Sequence, residues 1–108
     1  MTGADSTGLS VHVLDAVRGR PAAGLDVAVI ASDVVLIEMT TDEDGRAAIG
    51  DVPAGTTTVR FETGAWFAAQ DRDTFYPRVE ISVSIAAGEQ HHVALLLSPF
   101  AYSTYRGS

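Results

Sequence analysis

Over residues 78–85 the chain alternates without a break, with Val79, Ile81, Val83 and Ile85 on one side and polar residues on the other. Only an extended backbone, whose successive side chains point to opposite faces, gathers such a pattern into a single apolar surface. Elsewhere Gly, Pro and Asp punctuate the sequence at short intervals, with β-rich segments between them. That spacing predicts an all-β sandwich or barrel. Strands are expected over residues 10–15, 26–32, 34–41, 56–62, 78–85, 91–98 and 102–106, with a loop over 18–24 and a turn at Asp42-Glu43-Asp44-Gly45. Residues 64–70 break the pattern: Ala65, Ala68 and Ala69 accompany Trp66 and Phe67 and predict one short helix. These seven strands belong to an expected total of about eight strands and one helix.

A chain of 108 residues has room for one domain. We expect residues 1–8, rich in Gly, Ser, Thr and Asp, to form a disordered lead-in and residues 9–108 to form the domain. The hydrophobic share of 46% is that of a globular protein. Apolar runs such as Val93 to Leu97 are too short to span a bilayer, and the N-terminus has neither the basic start nor the apolar stretch of a signal peptide. With no cysteine, a disulfide, a thiolate metal site and a cysteine nucleophile are all excluded, and a reducing, cytoplasmic setting fits. The net charge is −7, and all seven cationic residues are scattered Arg. Nucleic-acid binding needs clustered positive charge, so it is not expected. Any Arg that serves a site here must create a local positive spot on an acidic protein.

Three His occur, two of them adjacent. Neighbours on a strand point to opposite faces, so His91 and His92 cannot easily serve one ligand. His92 shares a face with Ala94 and Leu96, opposite Val93, Leu95 and Leu97; His12 shares a face with Leu14, opposite Val11 and Val13. A sheet face that meets only water is more polar than this. We therefore expect these outer faces to be covered, most simply by another subunit, though a loop would leave the same pattern. His12 and His92 could then converge in a cleft between subunits. A strand His is otherwise a hydrogen-bonded or partly exposed imidazole, but an ordinary pKa of about 6.5 suits it to proton exchange near neutrality.

Arg46 follows the acidic turn, where it would either pair with a neighbouring carboxylate or act as an anion clamp, since guanidinium offers fixed donors and keeps its charge. Asp42, Glu43 and Asp44 lack the spacing and closing Glu of a calcium loop. His12 and His92 have no obvious third partner for zinc, so we expect no metal and no cofactor. Nucleophile-elbow, P-loop and dinucleotide-binding patterns are missing.

The C-terminal string Ser98-Pro99-Phe100-Ala101-Tyr102-Ser103-Thr104-Tyr105-Arg106-Gly107-Ser108 resembles the end of the 5-hydroxyisourate hydrolases, in the transthyretin-like family. Their closing Tyr-Arg-Gly-Ser separates them from transthyretin proper. Leu9 to Asp15 is similar to the family's opening strand, Gly19-Arg20-Pro21-Ala22 to the loop after it, Thr41 to Arg46 to its Thr-Asn-x-Asp-Gly-Arg turn, and Phe75 to Ile81 to its Phe-Phe/Tyr-Pro-Glu-Val segment. The resemblance implies a transthyretin-like (prealbumin-like) sandwich, assembled as a homotetramer from two dimers, with sites in the channel between them. It implies hydrolysis of 5-hydroxyisourate to 2-oxo-4-hydroxy-4-carboxy-5-ureidoimidazoline. The family's two catalytic His and its Arg map onto His12, His92 and Arg46, and Tyr105, Arg106, Gly107 and Ser108 would close the pocket around substrate. Where the family reads His-Tyr-His-Val-Pro, this chain has Gln90-His91-His92-Val93-Ala94, and Val11 stands where Thr is common. None of these departures touches the implied set. A noncatalytic carrier of aromatic ligands on the same scaffold, or an immunoglobulin-like accessory domain, would share the strand count but would not require both His, the Arg and the terminal string.

Overall fold

Two sheets face each other across the apolar residues that alternation singles out. A computed structural model describes residues 7–108. The strands are β1 (Gly8–Asp15), β2 (Arg20–Pro21), β3 (Asp26–Ala31), β4 (Val34–Thr40), β5 (Arg46–Asp51), β6 (Gly55–Phe61), β7 (Val79–Ile85), β8 (Gln90–Ser98) and β9 (Ala101–Gly107). One helix, α1 (Thr63–Ala68), lies between β6 and β7. The five-stranded sheet runs β2-β1-β8-β9, with β5 also pairing on β1; the four-stranded sheet runs β4-β3-β6-β7. The sequence places every strand except β5 and the two-residue β2. The lead-in expected over residues 1–8 lies outside the described residues as far as residue 6, and Gly8 already belongs to β1.

The sandwich closes on its inward rows. Leu9, Val11 and Val13 of β1, Ile49 of β5 and Val93, Leu95 and Leu97 of β8 meet Val27 and Val29 of β3, Val59 and Phe61 of β6, and Val79 and Ile85 of β7. Ile81 and Val83, at the more open β7 edge, pack against this cluster while partly exposed. Burying a side chain of this kind stabilises by about 1.5–3 kcal/mol relative to leaving it in water. The order β2-β1-β8-β9 brings the first strand beside the last two, and β1 pairs with β8 in parallel from Gly8 opposite Gln90 to Asp15 opposite Leu97.

The segment after helix α1 is fastened to the end of β1 by an ion pair between the buried Asp15 and the part-buried Arg72. Asp15 accepts hydrogen bonds from the backbone N–H groups of Val17 and Arg18 at 3.1 Å each, and from Nη1 of Arg72 at 2.8 Å. The Arg72 guanidinium also lies over the Phe67 ring, 4.8 Å from its centre. Burial alone would raise the Asp15 pKa; the Arg72 hydrogen bond and charge, with the two backbone donors, outweigh it and hold the carboxyl below its ordinary 3.8. The folded chain therefore binds this proton less readily than the unfolded chain, so the stabilisation is complete above 3.8 and disappears as pH falls through the folded value. Asp15→Asn, which strands the Arg72 charge, is expected to lower stability by about 3 kcal/mol at pH 7. Urea unfolding of both proteins should show that gap closing below pH 3.8; a gap independent of pH would refute the pairing.

Candidate active site

The outer face of the five-stranded sheet collects the polar side chains that the core excludes. Register decides which ones meet. His12 lies opposite Arg46 of β5 and Ala94 of β8, while Ser10 lies opposite Ala48 and His92. His92 in turn lies opposite Gly107 of β9. Cross-strand partners share a face, so Arg46, His12, Ser10, His92 and Gly107 form one patch drawn from four strands. The His12 and His92 rings sit 6.3 Å apart between centres, tilted by 34°. A single protomer thus already brings together two His that the sequence separates widely.

The turn before β5 aims Arg46. Asp42 accepts hydrogen bonds through Oδ1 from the backbone N–H groups of Asp44 at 2.9 Å and Arg46 at 3.0 Å. Gly45 adopts φ +74°, a left-handed conformation that favours glycine, and a Cβ there would meet the Val13 carbonyl oxygen at 2.4 Å. The carboxylate of Asp42 therefore serves the Arg46 backbone, and among the described residues the exposed Arg46 guanidinium makes no ion pair. Of the two roles open to Arg46 from sequence, pairing with a neighbouring carboxylate is not made among the described residues.

Alternation gives the two adjacent His opposite fates. His91 is buried, and both its nitrogens are used: Nε2 accepts from the Ala86 N–H at 3.1 Å, which puts the ring proton on Nδ1, 3.0 Å from the Gly8 carbonyl. It is a structural tie between β1 and the turn before β8. His92 is half-buried and, among the described residues, hydrogen-bonds only through Nδ1, 2.8 Å from Oγ of Ser10. Burial, then the charges of Arg46 and His12, hold its pKa below the ordinary 6.5. At neutral pH it is an uncharged imidazole beside a permanent cation.

A cavity of about 450 Å³ opens on this patch, lined by Ser10, Arg46, Ala48, His92, Gly107 and Ser108 among others. Of the four C-terminal residues, Gly107 and Ser108 thus reach it. A Cβ on Gly107 would come within 2.4 Å of Cδ2 of His92, so only glycine lets the last strand lie against that ring. Tyr105 and Arg106 instead border a smaller, apolar cavity of about 260 Å³ toward β7, which Ile81 and Val83 also line. Arg106 ties back through Nη2 to Glu89 at 3.2 Å. Ser10 is the residue that sequence reasoning missed. Its signal was its place two residues before His12, on the same face of one strand; its pairing with His92 depends on the parallel ladder. Among the described residues, no group of three or more His, Asp or Glu could hold a metal ion.

The model of the HIUase/Transthyretin family matches residues 9–107. The 5-hydroxyisourate hydrolase of Caulobacter vibrioides is 40% identical, over 94% of this chain and 99% of that protein. The solved structure of Klebsiella pneumoniae 5-hydroxyisourate hydrolase, 34% identical, superposes with a TM-score of 0.86 over 94% of each chain. Sea bream transthyretin in complex with thyroxine, 32% identical, superposes at 0.83 over 93% of this chain and 94% of that one.

Two measurements test the contrast between the paired His. His91→Phe strands the Gly8 carbonyl and the Ala86 N–H and should cost about 2 kcal/mol in chemical denaturation; unchanged stability would show that the tie is dispensable. By NMR, His92 should titrate below 6.5. Arg46→Gln should raise that midpoint only partway, because burial is the larger cause, and a midpoint indifferent to Arg46 would contradict the arrangement.

Proposed function

The chain belongs to the HIUase/Transthyretin family, and we propose that it hydrolyses 5-hydroxyisourate to 2-oxo-4-hydroxy-4-carboxy-5-ureidoimidazoline with His12, Arg46 and His92 as its catalytic set. The convergence of His12 and His92, rings 6.3 Å apart, with Arg46 opposite His12 and with Arg46 and His92 lining one cavity, carries this reading. Hydrolysis of a ring amide needs a base for water, a donor for the departing nitrogen and positive charge where oxygen becomes anionic. His92, neutral at pH 7, takes a proton from water as the water oxygen attacks the ring carbonyl. Arg46 binds the substrate's oxygens and stabilises the oxyanion. As the carbonyl carbon–nitrogen bond breaks, the proton passes to the nitrogen, with His12 orienting the water or assisting that transfer. Ser108 supplies a hydroxyl at the cavity, while Tyr105, Arg106 and Gly107 hold the closing segment. No cofactor enters the scheme.

Sea bream transthyretin has the same scaffold, so the fold itself does not select hydrolysis over carriage. The chemistry of the outer face favours hydrolysis: a carrier has no need of a low-pKa imidazole next to a cation.

The same proposal includes a homotetramer, a dimer of dimers whose neighbouring protomers wall the site. Its support is the outer face, where Leu14 and Leu96 are only half-buried, and the unpaired edge of β9, which carries the exposed Tyr105. Natural sheets seldom leave such an edge bare. A cytoplasmic setting, consistent with the cysteine-free composition, completes it. Among the described residues, no helix is long and apolar enough to cross a membrane.

With 5-hydroxyisourate made fresh from urate by urate oxidase, the protein should accelerate the ultraviolet decay of the substrate. The acid limb of kcat/KM should lie below pH 6.5, where His92 takes up a proton. His92→Ala and Arg46→Ala should each lower turnover by about 10²–10³-fold while sedimenting as the same tetramer. Wild-type turnover by His92→Ala would remove it as the base, and a protein without effect on the decay would end the hydrolytic reading.

A further inference from the structure

Ser10 stands outside the catalytic set, yet it holds that set's central ring. Its hydroxyl oxygen is 2.8 Å from Nδ1 of His92, a contact across 82 residues of sequence made possible by the parallel pairing of β1 and β8. On the other side of the ring, the backbone of Gly107 lies so close that no Cβ fits. The imidazole is therefore mounted between two strands, and Nε2 is the nitrogen left without a partner among the described residues.

We propose that Ser10 is the positioning residue for His92: its Oγ accepts a hydrogen bond from Nδ1–H, fixes that tautomer and leaves Nε2 as the nitrogen that exchanges protons with water and substrate. This rests on the hydrolytic reading of the site. A ring that is to act as a base through Nε2 must carry its proton on Nδ1, and that proton needs an acceptor. The serine oxygen provides one both before and after proton transfer, because Nδ1–H donates to it in the neutral and in the cationic ring alike. No partner has to reorganise when His92 is protonated. In a serine-protease triad a carboxylate holds the corresponding nitrogen and stabilises the imidazolium. A neutral hydroxyl orients the ring without adding that charge, so the neutral form that Arg46 favours is preserved.

Activity and spectroscopy test this separately. Ser10→Ala should lower kcat by about 10–100-fold, by analogy with the loss when the partner that orients a metal-ligating imidazole is removed, with KM nearly unchanged. Ser10→Thr, which keeps the hydroxyl, should recover most of it. In the ¹⁵N spectrum above its titration midpoint, His92 of the wild type should show a protonated Nδ1 and an unprotonated Nε2, and in Ser10→Ala that preference should be lost. A wild-type His92 protonated on Nε2, a Ser10→Ala enzyme as fast as wild type, or a Ser10→Thr enzyme as slow as Ser10→Ala would each overturn the assignment. If the wild type failed to hydrolyse 5-hydroxyisourate at all, the functional reading would fall, while the ¹⁵N result would still decide whether Ser10 sets the tautomer.

Discussion

The parallel ladder between β1 and β8 is the contact on which both the core and the site depend. Parallel neighbours cannot be joined by a tight turn, and here the connection takes up residues 16–89, including the whole four-stranded sheet. Closing so long a segment costs only a little more entropy than closing one half its length, because the cost grows with the logarithm of length. In return the ladder seats Val11 and Val13 beside Val93 and Leu95 on the inner face, and Ser10 and His12 beside His92 and Ala94 on the outer face. Strand alternation couples the two. A slip of one residue would push the imidazoles into the core and the valines into water. Packing energy thus enforces the geometry of the polar face without any of the polar residues having to contribute it.

On that face, function depends on which groups are left unpaired. Arg60, Arg72, Arg78 and Arg106 each have a carboxylate partner, but among the described residues Arg46, one residue past Asp42-Glu43-Asp44, makes no ion pair, and neither do Arg18 and Arg20. Oδ1 of the nearby Asp42 is turned to the backbone of the turn instead. An acidic protein thereby keeps one exposed positive charge beside His92. His91 and His92 show the same selectivity one residue apart, the first with both nitrogens satisfied and the second with one.

Much of this was legible in the sequence because it follows from period and punctuation. The alternation of β7 and β8 gave both their faces and the separation of His91 from His92. The strand β5 escaped because Ala47, Ala48 and Gly50 carry little strand preference, and its pairing with β1 sustains it instead. The two residues of β2 are too few to show any period. Alternation suggested that His12 and His92 could converge, but only between subunits; that Arg46 joins them came from family resemblance, since a sequence does not state which strands lie side by side. Ser10 was invisible for the same reason: its partner is fixed by long-range register, not by any neighbour in the chain.

Likeness of scaffold to both a 5-hydroxyisourate hydrolase and a transthyretin in complex with thyroxine, at TM-scores of 0.86 and 0.83, has a physical basis in that division of faces. Outward side chains of a sheet do not enter the core, so they can change while the inner face keeps its packing. That freedom is not complete where strands crowd. The ring of His92 admits nothing larger than glycine at position 107, and Arg106, on the other face, is held to Glu89. Ser108 then emerges at the cavity. Within Tyr105-Arg106-Gly107-Ser108 it is the glycine that answers to the imidazole: with the ring of His92 where it stands a Cβ at position 107 would run into it, and without that ring the constraint falls away.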